Sequence, residues 1–263
     1  MASSSSSSSI DPTLPPLHPI FDPTTTPSAP EPPRTQQLIQ TLHLQPHPEG
    51  GYFAETDRDR RRIPNPFAHH RPPTSSSNIL VDTRAAMTTI HYLLTPASPL
   101  GAFHRNRART VHTLHRGRGR YVIIHADDVA STSCPGGYDA APSPSPSASD
   151  DDDAGARRAE ERRWTGKARV ETFVVGPDVV NGERVQWIVE GGKYKGSFLL
   201  GDDETGAETE GGGSGSRSEG LLISETVAPG FEFEDHDFLE AGRLEALVTR
   251  EQAGELGWMV RRG

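Results

Sequence analysis

GAFHRNRARTVHTLHRGRGRY, residues 101–121, runs directly into the apolar triplet Val122-Ile123-Ile124. Four side chains with metal-binding or acid/base chemistry (His104, Asn106, His112 and His115) precede that β-branched run, and arginines stand at 105, 107, 109, 116, 118 and 120. Side chains on a strand alternate between its faces, so a set that faces one interior must share parity. His104, Asn106, Thr110, His112 and Leu114 share it if the chain stays extended without a bulge, and Arg105, Arg107 and Arg109 then point the other way. The stretch predicts a barrel strand with a polar interior.

Working outward, composition bounds what surrounds it. Of 263 residues only 33% are hydrophobic, while glycine and proline number 26 and 23. These breakers cluster, which leaves one domain of roughly 170 residues, enough for a real core. The net charge of −9 is local. Residues 127–164 hold nine acids and four bases, and residues 202–219 hold six acids and one base. The remaining domain is slightly basic, so acidity says little about what it binds. The lone Cys134 cannot form an internal disulfide, which fits a reducing compartment. Residues 1–12, MASSSSSSSIDP, lack the apolar core of a signal peptide, and no apolar run approaches the ~18 residues of a membrane span. The expectation is a cytoplasmic protein with nuclear access and no membrane partner.

Along the chain, residues 1–33 form a Ser/Pro-rich tail too poor in large apolar groups to order itself. Residues 34–263 are expected to make a single domain. Thr35 is an N-cap candidate for a helix over 36–43, with Leu38, Ile39 and Leu42 on one face. Strands are predicted at 52–56, 83–95, 167–175, 184–189, 196–200 and 221–227, punctuated by Gly and Pro turns. Thr249-Arg-Glu-Gln252 reads as a capping box for a last short helix. Residues 127–164 and 202–219 read as two disordered, low-complexity insertions. The fold class is therefore all-β with short flanking helices.

Four stretches carry a family resemblance: LIQTLHLQPHPEGGYFAET (38–56), residues 90–117, residues 173–197 and LLISETVAPGFEFEDHDFL (221–239). On these the chain resembles the cupin superfamily, and more closely an uncharacterised Cupin_5-type group, a domain of unknown function. The resemblance implies a jelly-roll β-barrel, commonly a homodimer, with a small-molecule pocket inside. Laid on this sequence, the general cupin metal positions fall on His104, Asn106, Thr110 and Lys195. Threonine and lysine are poor ligands for transition metals, so no metal and no other cofactor is expected. A trio of His91, His104 and His112 is the alternative metal set, lacking a carboxylate that the sequence places.

His104 and His112 are the candidate acid/base groups, with Tyr52 as a phenolic partner. Asn106 and Thr110, by parity, and Lys195, by the second motif, are candidate ligand contacts; Glu55, Tyr194 and Glu225 join them, with Tyr52, mainly as what the resemblance implies, and a buried carboxylate must be paired. Glu49 either braces the Gly50-Gly51 turn or contacts ligand. The arginine array would suit phosphate if it lined the mouth, but its parity favours a solvated face paired with the acidic insertions. Neither a nucleic-acid motif nor an aromatic stacking set accompanies it, so nucleic acid is not expected. Two functions stay open: a metal-independent isomerase or epimerase acting on a small polar, carbohydrate-like or phosphorylated molecule, and a non-catalytic metabolite-binding or scaffold cupin.

Overall fold

The computed structural model describes residues 7–14, 16–23, 31–67, 83–129, 167–202 and 218–261. Both predicted insertions fall almost wholly outside these residues. In chain order the elements are α1 (Pro33–Thr41), β1 (Gln45–Pro46), β2 (Tyr52–Arg58), β3 (Arg62–Pro64), β4 (Thr83–Ala85), β5 (Thr88–Leu94), β6 (Leu100–Arg105), β7 (Arg109–Arg116) and β8 (Gly119–Ile124). They continue with β9 (Val170–Val175), β10 (Gln186–Val189), β11 (Tyr194–Leu199), β12 (Leu221–Ala228), β13 (Asp237–Phe238), α2 (Ala241–Leu247) and α3 (Arg250–Leu256).

Six strands form one sheet in the order β1-β2-β5-β12-β7-β10, and five form another, β13-β6-β11-β8-β9. The sheets pack as a sandwich and do not close into the expected barrel. The quoted stretch is divided between them. It does not continue as one strand: β6 ends at Arg105 in the five-stranded sheet, and β7 begins at Arg109 in the six-stranded sheet. The chain changes sheets through Asn106–Ala108, so inward residues of β6 and β7 approach the same space from opposite walls.

Alternation then sorts the core into layers. On β8, Tyr121 and Ile123 point between the sheets and join Tyr92, Leu94, Phe173, Trp187, Leu199 and Ile223. Val122 and Ile124 point outward, where Phe103, Tyr194, Phe198 and the residues Leu244, Leu247, Leu256 and Met259 cover them. A strand buried on both faces reads as the continuous apolar run seen in the sequence. On the far side, Leu38, Ile39 and Leu42 pack α1 over Leu93 and Leu222. That helix starts before Thr35, which is buried and caps nothing: Pro33 presets the first helical turn and Pro32 stands at the cap. The capping box at Thr249 is present, with Thr249 Oγ1 accepting from Gln252 N at 3.2 Å.

Within the Ser/Pro-rich tail, the described residues 7–14 and 16–23 make contacts with the C-terminal helices. Leu17 is 3% exposed within the outer apolar layer. Glu255 on α3 accepts hydrogen bonds from Ser8 Oγ (2.7 Å), Ser9 N (2.8 Å) and Leu17 N (2.8 Å). Trp258 Nε1 donates to Leu17 O at 3.2 Å. One buried leucine and a carboxylate that gathers backbone donors hold a segment whose composition alone argues against order. Glu255→Ala should cost about 1 kcal/mol, because partly exposed bonds to a carboxylate contribute modestly. Limited proteolysis should cut within residues 7–17 before the domain melts; an unchanged digestion pattern would show that Leu17 alone suffices.

Candidate functional site

Two cross-strand pairs build the site. His104 on β6 lies directly opposite Lys195 on β11, and His112 on β7 lies opposite Glu225 on β12. Opposed residues of an antiparallel pair share a face. One pair belongs to each sheet, and both face the interior. Lys195 Nζ crosses from its own sheet to the other, donating to Glu225 Oε2 at 2.5 Å and to His112 Nε2 at 2.9 Å. The three are 2%, 7% and 0% exposed respectively. His112 in turn stacks on Trp187, with ring centroids 5.0 Å apart. Burial alone would raise the Glu225 carboxyl, but the Lys195 ammonium and His112 outweigh it and hold the group well below the usual range. Burial, then the Lys195 charge, pushes the His112 imidazolium pKa down, so this ring is neutral at pH 7.

A second cluster adjoins the first. The turn Pro46–Gly51 docks on the edge of β6, where Ala102 N donates to Glu49 O at 2.8 Å and Gly51 N to Ser98 Oγ at 2.7 Å. Gly50 and Gly51 have φ of +103° and +70°, and a Cβ on Gly50 would overlap the Leu100 carbonyl. Only glycine allows so close an approach in that conformation. The docking sets Glu49 Oε1 3.1 Å from His104 Nε2 and 2.6 Å from His236 Nε2. His236 follows the 3-10 turn Phe233–Asp235, which the buried Arg84 holds through Asp235 (2.5 Å) and Gly230 O (3.1 Å). Its ring stacks on His104 with an interplanar angle of 6°. Burial pushes the His104 imidazolium pKa down to about 3 against the attraction of Glu49. Burial would raise the Glu49 carboxyl, but His104, His47 and the His236 hydrogen bond bring it to about 2. Glu49 is therefore ionised beside a neutral His104 at pH 7.

Of the sequence-predicted residues, the structure brings His104, His112, Lys195 and Glu225 together. Thr110 is buried on the His112 face of β7. Asn106 lies in the crossing turn, where its backbone carbonyl accepts from Gly192 N at 2.9 Å. Three others lie elsewhere. Tyr52 points to the α1 side of its sheet and donates to Glu31 at 3.1 Å, so it is no partner for His104. Tyr194 alternates outward from Lys195 and donates to Asp237 at 3.0 Å. Glu55 is exposed and pairs with Arg58 at 2.8 Å. The His91–His104–His112 trio does not form, because His91 packs edge-on against His115 instead.

The arginines do lie off the interior, but they are not simply solvated. Arg105 is 3% exposed and bonded to Asp237, while Arg118 meets Glu183 and Arg109 meets Glu190. Apart from Arg116, which meets Glu219, the carboxylates named here belong to the domain and not to the acidic insertions. Sequence reasoning left Glu49 undecided and missed His236. The available signals were the Gly-Gly pair behind Glu49, which marks a tight docking turn, and an imidazole within the acidic FEFEDHDF run.

A two-sheet sandwich with imidazoles, lysine and carboxylates gathered between its walls defines a cupin-type protein. The chain belongs to the cupin superfamily (DUF985), whose family model matches residues 36–239. It is 38% identical over 234 residues to the uncharacterised protein YML079W of Saccharomyces cerevisiae, covering 88% of this chain and 89% of that one. Among solved structures, a hypothetical protein from Leishmania major aligns at 23% identity with a TM-score of 0.54, covering 86% of this chain and 98% of that chain. Protein SO0799 from Shewanella oneidensis aligns at 18% identity with a TM-score of 0.52, covering 87% and 98%. At these identities the two structures support the fold. No helix among the described residues is long and apolar enough to cross a membrane.

Proposed function

We propose that this cupin binds a small, hydroxylated, uncharged molecule, carbohydrate-like in its chemistry, beside Glu49, His104 and His236. One observation carries the reading: a chain of polar groups, from half-buried His236 through Glu49 and His104 to fully buried Lys195, occupies the interior of an otherwise apolar sandwich. Such groups each cost free energy unless paired, and a core selected for stability alone would be apolar there. The local charge selects the ligand. Lys195 and Glu225 cancel, Glu49 adds one negative charge, and the imidazoles of His104 and His112 are neutral. A phosphate would meet repulsion from Glu49, whereas hydroxyls can donate to its carboxylate. Of the arginines that would have suited phosphate, Arg105, Arg109, Arg116 and Arg118 are engaged with carboxylates.

A sugar and polyol panel, scored by ligand-observed NMR and thermal shift with a chelator present, tests this. Glu49→Gln should weaken binding at least tenfold, since a charged hydrogen-bond acceptor contributes about 1.5–3 kcal/mol. Selective binding of phosphorylated members, or full affinity in Glu49→Gln, would sink it. A metal-independent isomerase or epimerase is the second reading, favoured by the contact between the His104 and Glu49 side chains, which suits proton exchange. Deuterium incorporation at a ligand carbon, abolished in His104→Gln, would decide for turnover over binding.

A further inference from the structure

We propose that Glu49 Oε1, His104 Nε2 and His236 Nε2 form a binding site for one divalent first-row transition-metal ion. The donor set shares only His104 with the four motif positions at which a cupin metal would be sought, and at those positions Thr110 and Lys195 do not fit an ion. Glu49 and His236 come instead from the docked turn and the β12–β13 connection, and the three donor atoms all lie within 4.8 Å of one another. Ligands at ~2.1 Å in tetrahedral array stand about 3.4 Å apart. The Glu49–His104 separation of 3.1 Å is close to that, and the Glu49–His236 separation of 2.6 Å has to open by less than about 1 Å.

The ring orientation is the second, independent observation. His104 Nδ1 lies 3.0 Å from the Ala102 carbonyl, an acceptor only, so Nδ1 carries the ring proton. Nε2 is then the ring atom turned towards Glu49 Oε1, 3.1 Å away, where it would ligate an ion held between them. A metal-bound imidazole characteristically donates its other N–H to a backbone carbonyl, as this one does. The same Ala102 fixes Glu49 through N–H donation to its backbone oxygen at 2.8 Å, so one residue aligns two ligands. Two imidazoles and one carboxylate favour transition metals over Mg²⁺ or Ca²⁺, which prefer all-oxygen sites. Three protein ligands leave a coordination position open.

The other compact grouping among the described residues, His125 with Asp127 and Asp128, is already engaged. Lys193 bonds Asp127 at 2.6 Å and Arg169 bonds His125 at 2.9 Å. It therefore serves as an internal control.

The inference concerns the same groups as the ligand-binding reading, and a hydroxylated molecule could enter at the open position. The test uses metal alone, so its failure leaves that reading standing. Full-length protein, stripped with a chelator, is titrated with Zn²⁺ by calorimetry and with Co²⁺ by visible absorption. One equivalent per chain is expected, with the intense d–d bands of low-coordinate Co²⁺. Affinity should fall at least tenfold in Glu49→Gln, His104→Gln and His236→Gln and stay unchanged in His125→Gln. His236 is half-buried on a connection, so its variant reports on the site even if His104→Gln fails to fold. Absence of stoichiometric uptake, or one equivalent retained at full affinity in both His236→Gln and Glu49→Gln, overturns the proposal; the former result would assign the contact to a shared proton.

Discussion

Replacing Lys195 with methionine should lower the melting temperature by about 10 °C. The substitution keeps the length of the side chain but removes the charge opposite Glu225, whose carboxylate is 7% exposed. Breaking a buried pair from one side costs about 3–5 kcal/mol, because the remaining charge stays in a low-dielectric interior. For a domain of this size each kcal/mol moves the midpoint by about 2–4 °C. Lys195→Met/Glu225→Leu should recover at least half of the loss, since replacing both partners by apolar groups is often neutral or stabilising. The residual cost falls on His112, which loses its donor. Thermal melts of the two variants decide the matter. A single variant within 3 °C of the parent would show that water or a rearranged partner reaches Glu225, and the interior cluster would not be the dry bridge between sheets described above.

Acidification should unfold the protein in a window that begins just below pH 6.5. His112 has its pKa lowered by burial and by the Lys195 charge, while in the unfolded chain it titrates near 6.5. The unfolded state therefore binds the proton first. The stability contribution is complete above about 6.5 and is lost as pH falls towards the folded-state value, at about 1.4 kcal/mol per pH unit for one such ring. For His104, lowered to about 3 by burial, that amounts to about 2 kcal/mol between pH 6.5 and 5, and His112 acts with the same sign. Below about 4.5 the lowered carboxyls of Glu225 and Glu49 add a second loss of the same direction. His112→Gln should flatten the upper limb of the pH–melting curve in chelator-containing buffer. An equally steep limb in that variant would place the responsible proton elsewhere.

The sequence determined much of this protein through short-range rules. Period-two alternation and β-branched runs marked β7, β8, β9 and β12, because each such strand must bury at least one face. The Thr249–Gln252 capping box is set by four adjacent residues. Parity within β6 and within β7 correctly turned His104 and His112 inward and the neighbouring arginines away. Composition, by contrast, says nothing of the contacts that Leu17, Ser8 and Ser9 make with Glu255 and Trp258.

Only the tertiary structure decided the site. Parity cannot say that β6 and β7 belong to different sheets, and it is that crossing which lets Lys195 on one wall reach Glu225 and His112 on the other. It cannot separate Tyr52 or Tyr194 from the cluster either, since which face of a strand is the interior depends on what packs against it. In both cases the answer came from helices packed on the outer face, α1 over Tyr52 and the C-terminal α2 and α3 over Tyr194. Glu49 and His236 are 187 residues apart, and neither sits on a regular element that a periodicity could reveal. Their meeting depends on the glycine-permitted docking of one turn and on the Arg84–Asp235 anchor of another. Local sequence encodes which strands form and which way they face; the chemistry between the sheets arises from contacts that only chain closure brings within hydrogen-bond range.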